Sequence, residues 1–444
     1  MSPFAFDPVS SITEATVRAH LTFLASDAMN GRASGTRDEW IAAAYLGAQM
    51  QQWGLEPLGD DGGFVQRIEI ERFETTAPPT LAAGGARYVH GRDVLVTSAP
   101  AARVSGPLQR YADGAPVRAG SVLLMPEAPA QGGSSAPATA GAALILAPES
   151  PGLRKRWTAL GSRNPAPAPR LAGVAGARSN PPAVTLDKAT YAAVSALADG
   201  APISLDLEVK RGSAATTWNA VGRLRGGDPA AADEVILLSA HLDHVGNRPA
   251  PDGAAGVDTI YNGADDDASG SVAVLELAKA LAQAPRPRRT IVFAFFGSEE
   301  VGGFGSRYFA EKPVVPLGQI VANLQFEMIG RPDPAVARQT LWLTGYERSN
   351  LGPTLAAHGA RLVQDPHPEQ NFFMRSDNIQ FARRGVVAHT VSSYGLHKEY
   401  HQPSDEVQFV DMAHMTEAIR SLFEPIRWLA DSTFRPEWAP GGRP

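Results

Sequence analysis

Hydrophobic and polar positions fall into three regimes along the chain. Residues Ser10 to Leu24 carry apolar side chains at helical spacing, with Ser10 or Thr13 placed to cap the start. A second helix is predicted from about Glu39 to Trp53, stopped by Gly54 and Pro57. The run from Phe64 to Ile70 alternates as a strand does. From about Thr76 to Ser213 the chain turns rich in Ala, Gly and Pro. Short β-like runs appear there at 121–125 and 143–147, a helix candidate at Lys188 to Ala198, and exposed-loop composition at 132–137 and 164–169. After Trp218 apolar strands alternate with helices. Val235 to Ser239, Ile291 to Phe296, Ile320 to Phe326 and Val386 to Ser392 read as buried strands, and Ser269 to Ala284 reads as an amphipathic helix.

Continuous apolar strands separated by helices belong to a sheet covered on both faces. The predicted fold is therefore α/β, a mixed, mostly parallel sheet with helices on both faces, plus a small β-rich inserted domain. The change in composition puts the inserted stretch at about Thr76 to Ser213.

Composition narrows the function. A chain of 444 residues exceeds one ordinary domain, and 44 % hydrophobic with 19 % charged residues is globular composition. A net charge of −6 argues against nucleic acid as the main partner. No apolar run is long enough for a membrane span. With no cysteine there is no disulfide scaffold, zinc–thiolate site or cysteine nucleophile. The start of the chain lacks the basic and apolar pattern of a secretion signal.

Acidic and imidazole residues follow the strands. His241-Leu-Asp243-His244 follows the first, Ser298-Glu299-Glu300 the second, Glu327 the third, and Tyr400-His401 comes after the fourth. Between the first two lies Gly263-Ala-Asp265-Asp266-Asp267-Ala-Ser-Gly270, a turn entering a helix. Singly, each has an ordinary explanation: a surface histidine, helix capping, a solvated glutamate pair. Together they crowd carboxylates at one edge of the sheet, where α/β proteins bind ligands, and divalent cations would relieve the repulsion. Imidazole and carboxylate donors without thiolate suit zinc, with manganese or cobalt as substitutes. Two histidines and three carboxylates suffice for two ions if one carboxylate bridges, and a pair about 3.5–4 Å apart can clamp both oxygens of a tetrahedral intermediate. No H-E-x-x-H, G-x-S-x-G or Walker motif competes. His397 and His401 stand four apart, but Gly395 and Pro403 predict a loop rather than a helix there.

These segments resemble the M28 zinc aminopeptidases. Ala28-Met-Asn-Gly31-Arg32 and Gly54-Leu-Glu-Pro57 are similar to the family's N-terminal portion, and residues 95–210 resemble, more weakly, its inserted protease-associated domain. The resemblance implies two Zn²⁺ ions held by His241, Asp266, Glu300, Glu327 and His401, with Asp266 bridging and a cis peptide after it. Asp243 would orient His241. Glu299 matches the general base and Tyr400 an oxyanion-stabilising tyrosine. Glu327 departs from the family's more frequent Asp.

The implied activity is removal of N-terminal residues from peptides with a free N-terminus, in a secreted or periplasmic setting. The alternatives are a carboxypeptidase or dipeptidase of the same fold, and a non-catalytic, receptor-like binding protein. A calcium-binding structural protein would use the Asp-rich turn but leave the histidines unexplained.

Overall fold

The computed structural model describes residues 7–127, 139–174, 181–249 and 256–444. They form two compact units, one of residues 1–68 with 216–444 and one of residues 69–215. The first division comes before residue 95, the bound that the resemblance implied. Strand pairing explains this: Thr80–Ala83 pairs with Pro202–Asp206, and Val94–Ser98 with Ala183–Leu186, so the strands before residue 94 belong to the inserted unit.

In the main unit the first helices are α1 (Glu14–Leu24) and α2 (Arg37–Gln52). Thr13 caps α1 in a capping box with Thr16, and Thr36 accepts from the Glu39 N–H at the start of α2. The sheet strands are β1 (Val65–Glu71), β2 (Ala215–Leu224), β3 (Val235–His241), β4 (Thr290–Phe296), β5 (Ile320–Phe326), β6 (Leu341–Leu343), β7 (Leu362–Gln364) and β8 (Ala388–Ser392). Their order is β1-β2-β4-β3-β5-β8-β6-β7. The neighbours β4-β3, β3-β5, β5-β8 and β6-β7 run parallel, whereas β2-β4 and β8-β6 run antiparallel. This is the mixed, mostly parallel sheet predicted from the sequence.

Alternate residues of the central strands enter different cores. Ile236, Leu238, Ile291 and Phe293 pack with residues of α1, α2, α3 (Gly270–Gln283) and the long C-terminal helix α4 (Met412–Asp431). Val235, Leu237, Val292 and Phe296 face the other way, onto Phe309, Ile379 and Phe381. Strands buried on both faces need apolar residues throughout, which is why their hydropathy is continuous rather than alternating.

The inserted unit is β-rich, with Ala86–Val89, Thr80–Ala83, Pro202–Asp206, Val104–Arg110, Val122–Leu124, Leu144–Pro148, Ala183–Leu186 and Val94–Ser98 as neighbours in that order. Its helix at Lys188–Ser195 matches the candidate at 188–198, and 164–169 is irregular as expected. The loop expected at 132–137 lies outside the described residues. Among the described residues no helix is long and apolar enough to cross a membrane.

Gly270, the first residue of α3, has no room for a side chain. An added Cβ would stand 2.4 Å from the Phe326 carbonyl oxygen at the end of β5 and 2.3 Å from Asp267 Oδ1. Gly270→Ala must push helix from sheet, so it should cost about 1–3 kcal/mol and lower the melting midpoint by several degrees. An unchanged midpoint would contradict this packing.

Candidate metal centre

Parallel register brings the strand ends together. His241 pairs with Phe296, Ser239 with Gln325 and Phe326 with Val391, so β3, β4, β5 and β8 finish at one edge. His241 ends β3, Glu299 and Glu300 follow β4, and Glu327 follows β5. Asp266 lies in the turn entering α3, and its peptide bond to Asp267 is cis, where the resemblance put one. His401 belongs to a turn, as Gly395 and Pro403 implied, and its own φ is 54°. Ser298 and Met328 are also left-handed, at φ 57° and 52°, so the backbone departs from ordinary geometry beside several of the candidate residues.

Asp266 divides its carboxylate between two histidines. Oδ1 is 3.1 Å from His241 Nε2, and Oδ2 is 3.1 Å from His401 Nε2. Glu300 Oε2 is 3.1 Å from the same His401 nitrogen. Glu327 is half-buried, and its Oε2, shielded from solvent, has no hydrogen-bond partner. A cavity is lined by Asp266, Glu299, Glu300, Glu327, Tyr400 and His401.

Two features of this neighbourhood were not foreseen. His244 is buried, and one of its ring nitrogens lies within 4.8 Å of donor atoms of Asp266, Glu300 and His401, a group able to hold a metal ion. A lone histidine beyond a strand gives no sequence signal for that. The far wall of the cavity includes Met328, Trp342, Phe372 and Tyr394, drawn from separate loops and strands. Trp342 and Phe372 stack at 5.5 Å between ring centroids, and Asp333 accepts from Trp342 Nε1 at 3.0 Å. The same wall carries a cation, Arg375, over the Phe372 ring.

Asp243 is used differently from expectation. Its carboxylate oxygen is 3.8 Å from His241 Nδ1, while its backbone carbonyl is nearer, at 3.2 Å. The carboxylate instead accepts the Glu299 N–H at 2.9 Å and the Ser34 hydroxyl at 2.6 Å. Glu39, concealed in α2, accepts the Ser298 N–H at 2.9 Å and the Thr217 hydroxyl at 2.6 Å, propping the same loop. Beneath them the buried Arg32 donates to the carbonyls of Leu242, Asn262 and Gly263, which gives the Asn30-Gly31-Arg32 segment a structural role.

Charge and burial set the proton affinities. Burial pushes the Glu299 carboxyl well above its usual range; the histidine at 241 opposes this, and Glu327, Asp377 and Glu300 reinforce it. Glu327 is raised to about 7, by burial first and then by Asp266, against the pull of His241. Asp377 is also raised to about 7 by burial. Asp266 goes the other way: burial would raise it, but His241, His401 and His244 hold it well below the usual range. Tyr400, stacked on His401 at 3.9 Å, has its hydroxyl pushed upward by burial and by Asp266 and Glu300.

Buried carboxylates, unpartnered donor atoms and a thiolate-free donor set fit a divalent cation of the zinc type. An open α/β sheet with a candidate metal centre at the carboxyl ends of its strands is the class these observations define. Residues 219–424 match the model of peptidase family M28. The probable leucine aminopeptidase 2 of Aspergillus oryzae is 31 % identical over 199 residues, 43 % of this chain and 36 % of that protein. The chain spans about a third of the length of the curated relatives it matches. Among solved structures, an aminopeptidase from Aneurinibacillus sp. strain AM-1 aligns over 98 % of both chains with a TM-score of 0.55 and 18 % identity. BSAP, a zinc aminopeptidase from Bacillus subtilis, aligns over 95 % of this chain and 96 % of its own, with a TM-score of 0.50 and 18 % identity. These two likenesses show the fold.

The raised carboxyls predict a pH dependence for the metal-free protein. Glu327 and Asp377 titrate at about 7 in the folded chain and near 4 when unfolded, so they favour folding only while protonated. That contribution, on the order of a few kcal/mol, is complete below about pH 4 and lost as pH rises through 7. Melting of the metal-free protein from pH 4.5 to 8 should show this fall, and Glu327→Gln should flatten it. An identical slope in the variant would contradict the assignment.

Proposed function

We propose that this chain is a zinc-dependent aminopeptidase that hydrolyses the first peptide bond of substrates with a free N-terminus. The carrying observation is the divided Asp266 carboxylate, one oxygen facing His241 and the other facing His401 beside Glu300. It supports two cation positions that share Asp266, one with His241 and Glu327, the other with Glu300 and His401. Zinc ions held there would supply the Lewis acidity that makes water nucleophilic at neutral pH.

The chain's own groups supply the rest. Glu299 takes the proton of the attacking water and returns it to the leaving amine. The hydrogen bond from its N–H to Asp243 fixes its backbone for that transfer. Tyr400 keeps its proton and donates to the oxyanion that develops on the substrate carbonyl. The acidic end of the cavity receives the substrate ammonium, and the Trp342, Phe372 and Tyr394 wall receives an apolar side chain. Residues 95–210, within the inserted unit, are read as a protease-associated-like domain, and the setting as secreted or periplasmic, both on the family resemblance.

Arg375 favours a second reading. A guanidinium lining the cavity could hold the carboxylate of a very short substrate, which would make the enzyme a dipeptidase or carboxypeptidase.

A panel of aminoacyl-p-nitroanilides and their N-blocked equivalents separates these readings. Cleavage of free-amine substrates only, lost on chelation and recovered with zinc, is expected. Absence of cleavage by the zinc-loaded protein, with dipeptides hydrolysed, would move the assignment to the second reading; no hydrolysis of either would leave a binding protein. Glu299→Gln should retain zinc and lower kcat by about 10²–10⁴-fold. Near-normal turnover in that variant would remove Glu299 from the base role.

A further inference from the structure

His244 is the one imidazole of the metal neighbourhood to which neither the sequence pattern nor the mechanism gives work. Its side chain is 0 % exposed. Its N–H donates to the Arg32 carbonyl at 3.2 Å, which ties the residue to the N-terminal segment. Gly263, at φ +59°, makes space for the ring: a Cβ there would stand 2.5 Å from His244 Cγ and Cδ2. The ring is packed edge-on to His401, with centroids 5.6 Å apart at 70°.

Its Nδ1 lies 2.8 Å from Glu300 Oε1 and 3.8 Å from Asp266 Oδ2. The close pair is out of line for a hydrogen bond, and neither His244 nitrogen nor Glu300 Oε1 has another partner. Buried polar atoms left so are uncommon and call for an explanation. Glu300 therefore splits its carboxylate as Asp266 does, with Oε1 toward His244 and Oε2 toward His401.

We propose that His244 is a positioning residue for Glu300. Its Nδ1–H holds Oε1, so that Oε2 faces the cation position shared with His401 and Asp266. This rests on the metal reading above. Forming that bond requires a small turn of the Glu300 carboxylate, and the terminal torsion of a glutamate is soft. The opposite assignment, Nδ1 as a direct metal donor, places the ring proton on Nε2, where it is buried without an acceptor. Nε2 is left without a partner under either assignment, but only Nδ1–H as donor also gives the buried Glu300 Oε1 a partner. Asp243 and His244 then act on the same loop, Asp243 holding the backbone of Glu299 and Glu300 and His244 holding the Glu300 side chain. Partners of this kind typically change metal affinity by about 10–100-fold.

Calorimetric titration of the metal-free protein with Zn²⁺ tests this without any activity readout. The wild type should bind two equivalents. His244→Ala should weaken one of them by about 10–100-fold and leave the other unchanged. His244→Asn, whose side-chain N–H replaces that of Nδ1, should recover most of the loss. Should His244→Ala fail to fold, His244→Phe keeps the ring volume, lacks the donor, and is compared with His244→Asn in the same way. Complete loss of one equivalent in the ring-deleted variant, unrescued by Asn, would make His244 a direct ligand and overturn the proposal. Unchanged affinities at both positions would reduce it to packing and overturn it equally. A wild type that binds no zinc would remove the metal reading itself, a failure distinguishable from either.

Discussion

Everything at the carboxyl edge of this sheet depends on how buried negative charge is balanced. Asp243, Asp265, Asp267, Asp405 and Glu39 are buried, and each is used as a staple for backbone N–H groups. Asp267 accepts from His241, Gly270 and Met328 at 3.0–3.1 Å, joining β3, α3 and the residues after β5. Asp405 accepts from Asp265 and Asp266, and Asp265 accepts from Gly330 at 2.7 Å. These N–H groups oppose burial, which still raises the Asp243, Asp267, Asp405 and Glu39 carboxyls above their usual range. Those facing the cavity are not met in this way: Glu300 Oε1 and Glu327 Oε2 lack any hydrogen bond, and Asp266 faces only imidazoles. An outer ring of carboxylates fixes the loops so that an inner ring is held together against its own repulsion.

That division explains what could and could not be read in the chain. The strands were legible because burial on both faces demands uninterrupted apolar runs, and strand ends in such sheets collect functional residues. His241, Glu299, Glu300 and Glu327 could thus be located from the pattern. Choosing Asp266 from three adjacent aspartates could not be done that way and came from family resemblance. In the structure Asp267 spends both oxygens on backbone donors, Asp265 divides its own between the Gly330 N–H and His397, and both Asp266 oxygens meet imidazoles.

Other features left no local trace. Glu39 sits at the start of a helix, where an acidic residue is ordinary, and only the fold brings it under the Ser298 loop. His244 is indistinguishable in sequence from a surface histidine. Trp342, on β6, meets Phe372 and Tyr394, which lie on irregular segments whose courses no periodicity determines. The inserted unit begins before residue 95, the bound that the resemblance implied, because the strands at 80–83 and 94–98 pair within it.

The central claim is that Asp266 stands between two cations. The most direct measurement is anomalous diffraction at the zinc edge from crystals of the zinc-loaded protein. The account predicts two peaks about 3.5–4 Å apart, one beside His241 and Glu327 and one beside Glu300 and His401, with Asp266 touching both. A single peak, or a pair that Asp266 does not bridge, would contradict it.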